Sequence, residues 1–500
     1  MIEIRLIPEK EFQRIREATI DKYTRLALLS DMCAANALAT VKRAGSGHLG
    51  SSFSSLDVVT YLYHFEMNIA ELGVDHPERD IYFSSKGHDV PGHYAVLHSL
   101  GLLSEERFQR LRRLDGTHGH PDVSIAGIEA NSGSLGMGIS KAKGMALAKK
   151  MSGAKGRVIV MTGDGELQEG QIWESLQTAA YQKVNNLIAI VDFNKIQTDK
   201  SVKDIIDLGD LAKKFEVFGW HGQTCDGHDF ADMEKAFTRL KQVTDRPKVL
   251  IADTIKGKGV SFMEGPRALK DGNGLYPWHS GAPDDDTFEA GYSEIVNRIN
   301  ARLKELDLAP LETRVMATRE KNRVTLKATA EKVVSAYGEA LVKMGAQRKD
   351  IVVLDADLSA DCGLRPFEKA YPDRFIENGI AEQDMVSTAG GLALQGFLPI
   401  VNSFGVFLAS RSNEQIYNNA TEKTKIIYAC HYAGLIPAGP GKSHQSLRDI
   451  SLFGALPNCT IIEPCNGMET EQALQWCVDQ AEQNCMLRLV ISPSPRAIVL

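Results

Sequence analysis

Several shortages in this 500-residue chain exclude whole classes of function. It carries 57 Lys and Arg against 64 Asp and Glu, a net charge of −7. A nucleic-acid surface needs a basic excess, and there is none. No apolar run approaches the roughly 20 residues of a membrane-crossing helix. The first forty residues are charged and helix-like, without a signal-peptide pattern, so the chain reads as cytoplasmic. Its eight cysteines, at 33, 225, 362, 430, 459, 465, 477 and 485, form no Cys-x-x-Cys pair. They read as buried thiols in a reducing compartment. Cys225-x-x-His228 and His118-x-His120 lack the partners of a zinc site. No low-complexity segment and no obvious repeat between the halves appears.

What is present is ordinary globular material, 43% hydrophobic and 24% charged, with length for two or three domains. The segment Glu11–Arg43 reads as one or two helices. Strand-like runs follow at Val158–Met161, Leu187–Val191 and Val249–Ala252, then at Ile351–Leu354, Lys425–Ala429, Thr460–Glu463 and Leu487–Ile491. Strands alternating with helices in both halves predict an α/β protein with two open, mostly parallel sheets, helices on both faces. A charged, glycine-poor stretch from Ile299 to Lys327 reads as the connection. The expected division is a first domain over 1–300, a linker over 301–326 and a second domain over 327–500.

The most informative run is Gly163-Asp164-Gly165-Glu166-Leu167-Gln168-Glu169-Gly170, with Asn194 thirty positions after Asp164. It directly follows one apolar run, and Asp192-Phe193-Asn194 follows the next. In a parallel sheet both turns lie at the carboxyl edge, where α/β proteins bind ligands. Asp164 and Asn194 then offer hard oxygens of the kind that hold Mg²⁺ beside phosphates. The flanking glycines let backbone approach a diphosphate closely.

This spacing resembles the thiamine-diphosphate motif of the transketolase family, and the resemblance runs over nearly the whole chain. Ser46-Gly47-His48-Leu49-Gly50, Ser85-Lys86-Gly87-His88 and Gly119-His120-Pro121 are similar to the family's histidine sites. Gly133-Ser134-Leu135-Gly136-Met137-Gly138 resembles Gly-Pro-Leu-Gly-Gln-Gly. Thr254–Gly259 and His279–Pro283 resemble the segment of another active-site histidine. Gly379-Ile380-Ala381-Glu382-Gln383 looks like the segment of the activating glutamate, Ser403–Phe407 like the aromatic platform, and Ser443-His444-Gln445 like Thr-His-Gln.

The resemblance implies two thiamine-diphosphate-binding domains, the first for the diphosphate and Mg²⁺ (or Ca²⁺), the second for the aminopyrimidine. Asp164, Asn194 and the Ile196 carbonyl would hold the metal. His88, Gly133, Leu135, Gly163, Gly165, Glu169, Asp357, Phe404 and Phe407 would contact the cofactor. Glu382 would sit buried against ring nitrogen N1′ and share a proton with it. His48, His120, His279, His431, Lys442 and His444 would meet the substrate, with Glu382, His48, His120, His279 and His444 as the catalytic set. His64, His76, His98 and His221 are left as structural residues. The family also implies a homodimer with active sites at the subunit interface, and small-molecule ketose and aldose substrates. Transketolases add a third, smaller α/β domain. The chain stops at Leu500, so that domain is expected to be absent, cut away or supplied by another chain.

Some substrate positions depart from the family pattern. Where sugar-phosphate transketolases carry Thr-Arg, Thr329 is followed by Ala330. Asp361 stands near a phosphate-touching serine. The loop from His431 to His444 carries no carboxylate. These departures predict two-carbon ketol transfer on a non-standard sugar, for instance one ending in a sulfonate. The alternatives are a deoxyxylulose-phosphate-synthase type of pyruvate and aldehyde condensation, or a non-catalytic scaffold.

Overall fold

Runs that are apolar at every position suit strands buried on both faces, and both halves of the chain are built on such strands. The structure is a computed structural model that describes residues 2–316, 330–436, 439–491 and 493–495. It divides into two units, Met1–Glu320 and Lys321–Leu500.

In the first unit β1 (Ile81–Ser84), β2 (Val158–Gly163), β3 (Leu187–Phe193), β4 (His221–Asp226) and β5 (Lys248–Asp253) form a sheet in the order β1-β2-β3-β5-β4. Every pairing is parallel. Side chains alternate between its faces. Ile159, Met161, Ile188 and Ile190 join one core, and Val158, Val160, Leu187, Ala189 and Val191 the other. Burying each Ile or Leu contributes about 1.5–3 kcal/mol, so both faces need helices. On the first face lies the long helix Lys22–Ala44, buried over most of its length. It starts where Asp21 accepts from the Tyr23 and Thr24 amides, and ends on Gly45 at φ +80°. The helices Gly138–Ser152 and Gly170–Tyr181 cover the second face.

The second unit repeats the plan with six strands: β6 (Ile351–Asp355), β7 (Phe375–Glu377), β8 (Leu398–Phe404), β9 (Ile427–His431), β10 (Cys459–Ile462) and β11 (Asn484–Leu489). Their order is β7-β6-β8-β9-β11-β10, again all parallel. Ile351, Val353, Ile400 and Ile427 face one core; Val352, Leu354, Val401 and Tyr428 face the other.

Three details differ from expectation. Residues 301–316 are not a linker: the helix Asp285–Glu305 buries Ile295, Ile299 and Leu303, and Arg314–Val315 pairs antiparallel with Arg5–Leu6. The expected connection thus begins no earlier than 317, and residues 317–329, Thr329 among them, lie outside the described residues. β9 and β11 start and end displaced from the expected 425–429 and 487–491. Cys465 is exposed, whereas Cys33, Cys225, Cys362, Cys430, Cys477 and Cys485 are buried. Among the described residues no helix is long and apolar enough to cross a membrane.

Candidate active site

Asp164 directly follows β2, and Asn194 directly follows β3. Gly163 pairs opposite Asp192, so both turns leave the same carboxyl edge. Asp164 is 2% exposed and Asn194 5%. The Asp164 carboxylate accepts from the Gly165 N–H at 2.8 Å and from the Lys195 N–H at 2.6 Å, tying the two turns together. Burial, reinforced by the Asp192 charge, pushes its pKa up to about 6. Asn194 Nδ2 donates to Asp192 at 3.0 Å, and its Oδ1 accepts from the Ile196 N–H at 3.1 Å. The Ile196 carbonyl accepts from Lys256 Nζ at 3.1 Å, which leaves it a second lone pair for a metal. Among the described residues no three His, Cys, Asp or Glu side chains are grouped to hold an ion. A divalent cation here would therefore lean on Asp164, Asn194 and its ligand's own oxygens.

Beneath these turns lies a buried charge network. Lys86 Nζ meets Asp192 at 2.6 Å and Asp89 at 3.6 Å. Burial opposes each charge, but the pairing outweighs it, lowering the Asp192 pKa and raising that of Lys86. Ser54 and Thr254 complete the bonds to Asp192. Glu166 is equally buried. It accepts from Ser85, from the Gly136 N–H at 2.9 Å and from the Gly163 N–H at 3.2 Å, joining three loops. Two glycines are required by space. A Cβ on Gly165 would lie 2.7 Å from Gln197, and one on Gly133, at φ +105°, would lie 2.5 Å from the His120 ring. Gly163 has ordinary room, 3.7 Å from Lys86. Leu135 is half-buried in this Gly133–Gly136 loop, and Glu169 packs under Gly136.

Four predicted histidines converge beside this edge. The His48 ring centre is 5.6 Å from His88, 5.6 Å from His120 and 5.3 Å from His279, and His88 is 5.3 Å from His279. Burial is the main reason that His48, His88 and His279 are held well below the ordinary value of 6.5. Neighbouring cations add to it: Arg112 for His48, Lys86 and Lys256 for His88, Lys256 for His279. These three rings are neutral at pH 7, and their partners select the tautomers. The Lys86 carbonyl only accepts, so His88 Nδ1 carries the proton at 3.0 Å, and Nε2 takes the Ser51 hydroxyl at 2.6 Å. An ammonium only donates, so His279 Nδ1 accepts from Lys256 at 3.2 Å and presents Nε2–H. A guanidinium nitrogen of Arg112, 3.5 Å from His48 Nδ1, orients that ring in the same sense. His48 and His279 thus offer neutral N–H donors to a bound oxygen.

The second unit gathers a different set. Glu382 is the first residue of the helix Glu382–Leu394 and is 2% exposed. It is not isolated: Arg411 donates to it at 2.6 Å, and the same guanidinium lies 5.0 Å over the Phe407 ring. Phe404 ends β8 and stacks on Phe407 at 5.7 Å and on Tyr432 at 4.2 Å. His444 stands edge-on to Phe407 at 5.1 Å, with Ser443 at 2.9 Å from its Nδ1. Tyr432, at φ +53°, donates its hydroxyl to Asp361 at 2.8 Å.

His431, expected at the substrate, is fully buried at the end of β9 against Tyr337 and Asn402, and burial pushes its pKa down to about 3. Asp357 is buried at φ +58°, its N–H donating to Glu377. The neighbouring Asp355 is pushed well above the carboxylate range by burial and by Glu377. Lys442 is exposed. Residues 437–438 of its loop lie outside the described residues.

Sequence reasoning missed Lys86, Glu166, Asp192, Lys256, Arg411 and Tyr432 as site residues. The first four stand inside or beside the quoted motifs, and their signal was that adjacency. Arg411 and Tyr432 had none, because their partners are 29 and 71 positions away.

An edge of hard oxygens, a neutral histidine cluster and an aromatic shelf beside a buried glutamate define an α/β protein of the thiamine-diphosphate-binding kind. Residues 28–273 match the family description transketolase, thiamine diphosphate binding domain, and residues 331–491 match transketolase, pyrimidine binding domain. The chain belongs to the transketolase family. It is 32% identical over 441 residues to mouse transketolase-like protein 2 and 33% identical over 443 residues to human transketolase. In both cases the match covers 86% of this chain and 68% of the relative. A further relative, from Phocaeicola vulgatus, is named as a subunit of apulose-4-phosphate transketolase. The two are 34% identical over 266 residues, covering 53% of this chain and 92% of that one.

Proposed function

We propose that this chain transfers a two-carbon ketol unit from a ketose donor to an aldehyde acceptor, on a sugar other than the common sugar phosphates. The observation that carries the proposal is the convergence of His48, His88, His120 and His279 beside the paired turns of Asp164 and Asn194. Thiamine diphosphate, when bound, supplies the acidic carbon and the electron sink of the reaction. The residues present fit it. Gly133 packs against the His120 ring and Gly165 against Gln197, which holds both loops close at this edge, and Asp164 and Asn194 would supply oxygens for Mg²⁺.

The rest is work for the chain's own side chains. Glu382, now paired with Arg411, would hold the pyrimidine nitrogen, and Phe404 and Phe407 would provide the stacking face. The N–H groups of His48 and His279 hold substrate oxygens and steady the negative charge that develops on them. Asp361, a carboxylate near the family's phosphate-touching serine, and the replacement of Arg by Ala330 argue for a terminal group other than phosphate, an uncharged one included. The relative named for apulose 4-phosphate supports an unusual sugar. Its name makes it one part of an enzyme, which supports a separate partner subunit. Assembly as a homodimer, with active sites at the subunit interface, belongs to the proposal; an active monomer in light scattering overturns that part.

The test is a kinetic comparison of phosphorylated, sulfonated and uncharged ketoses. We expect kcat/KM for xylulose 5-phosphate to fall at least tenfold below that of the best donor. Should xylulose 5-phosphate lead by a wide margin, the altered-substrate reading is wrong and ordinary transketolase activity stands.

A further inference from the structure

The loop after the short helix Glu105–Phe108 carries three arginines close together, and one of them is unlike the others. Arg110 is paired with Glu106 and Asp115 on the surface, and Arg113 is exposed. Arg112 turns inward. Its backbone sits at φ +60°, in the left-handed region that an L-residue occupies only when held there, and its N–H is tied to the Thr117 carbonyl at 2.7 Å. The guanidinium donates to Ser46 Oγ at 2.9 Å and lies 3.5 Å from His48 Nδ1.

No carboxylate pairs with it among the described residues. Burial alone pushes its pKa down to about 10, with no acidic neighbour to offset the loss of hydration. It is still a full cation at pH 7. Of its five N–H donors, two are directed to Ser46 and His48. Nε is buried and has no partner among the described residues. The rings facing it are no counter-charge: His48 is neutral, and so are His88 and His279 behind it. A half-buried cation without an anion is unfavourable by itself. The arrangement makes sense when a ligand brings the missing negative charge, and the guanidinium fork matches an oxyanion with two parallel N–H···O bonds.

We propose that Arg112 is the anion-binding residue of the sugar site, gripping an oxyanion of the substrate through its guanidinium N–H groups while Ser46 and His48 fix its orientation. The identification of the ligand as a sugar rests on the two-carbon transfer proposed above; the anion site itself does not. Carboxylate, phosphate and sulfonate share this chemistry.

The experiment uses the protein loaded with thiamine diphosphate and Mg²⁺, so that the diphosphate position is already filled, and inorganic sulfate as the probe. In calorimetry the wild type is expected to bind sulfate, and Arg112→Gln to bind it at least tenfold more weakly. Arg112→Lys, which keeps the charge and loses the fork, should fall between them and serves if the glutamine variant does not fold. In parallel, kcat/KM is measured for carboxylated, phosphorylated, sulfonated and uncharged sugars. The ratio of the preferred anionic substrate to its uncharged counterpart should drop tenfold or more in Arg112→Gln, and the arm that drops most names the oxyanion. Sulfate binding that is absent, or equal in wild type and variant, together with unchanged ratios, overturns the proposal while leaving the transfer activity standing. Sulfate bound through Arg112 in a protein that turns over no sugar would do the reverse.

Discussion

The two units share a plan and differ in what they place at its edge. Each is a twisted parallel sheet with an apolar core on both faces. At the carboxyl edge of the first stand short polar side chains and histidines: Asp164, Asn194, His48, His88, His120 and His279. The site of the second is flat and aromatic, with Phe404, Phe407 and Tyr432 in a stack beside the Glu382–Arg411 pair. The first is suited to phosphate, metal and sugar hydroxyls; the second to a heteroaromatic ring. A scaffold of this kind fixes where a ligand sits, and the side chains at its strand ends decide which part of the ligand each unit takes.

The comparison breaks most easily at Asp164. Asp164→Ala removes the carboxylate that joins both turns of the first unit, and cofactor affinity in calorimetry should fall by roughly a hundredfold or more, about 2.7 kcal/mol. Unchanged affinity would mean that the polar edge is not the diphosphate site. In the second unit, Glu382→Gln keeps the shape of the side chain and loses its charge. It should retain cofactor binding within about tenfold, or about 1.4 kcal/mol. Exchange of the cofactor's reactive proton in deuterated buffer should nevertheless slow at least a hundredfold. Wild-type exchange in the variant would assign that role to another group.

Acid should separate the units with a smaller effect. The first unit holds His48, His64, His88, His93, His98 and His279 in surroundings where burial lowers their pKa, to about 3 for His64 and His93. Their folded values lie below the unfolded value near 6.5, so below that pH the unfolded chain binds more protons. The stability they contribute is complete above about 6.5 and is lost as pH falls, at about 1.4 kcal/mol per unit for each group. Raised carboxyls such as Asp164 and Glu166 offset part of this. In the second unit His431, lowered by burial, is opposed by Asp355, whose raised pKa works in the other direction. Hydrogen exchange followed by mass spectrometry between pH 6.5 and 5 should show the first unit loosening before the second. Simultaneous loosening would mean that the histidines do not set the acid response.

Much of this was legible in the chain itself. Val158–Met161 and Leu187–Val191 are short and apolar at every position, a pattern that suits a doubly buried strand, and the turns after them placed Asp164 and Asn194 together. Four strands of the two sheets escaped notice: Ile81–Ser84 and Phe375–Glu377 are short, and His221–Asp226 and Leu398–Phe404 begin with His-Gly-Gln and Leu-Pro, where polar residues or proline blur the pattern. The charged stretch after Ile299 resembled a linker because its polar face dominates the composition, yet Ile299 and Leu303 recur at helical spacing and are buried. Local motifs pointed to Asp164, Asn194 and the histidines, whereas the partners that hold them, such as Arg411 on Glu382, left no mark in the sequence.

Residue types and apolar runs are local properties, so the chain itself showed which side chains are available and that strands alternate with helices in both halves. Tertiary structure alone decided their electrical state. Arg112 stands beside His48 without a counter-ion among the described residues, Lys256 reaches both the Ile196 carbonyl and His279, and Arg411 occupies Glu382. Those are matters of distance between residues from 23 to 64 positions apart. Charge, tautomer and desolvation depend on such distances through the low-dielectric interior, and no one-dimensional pattern records them.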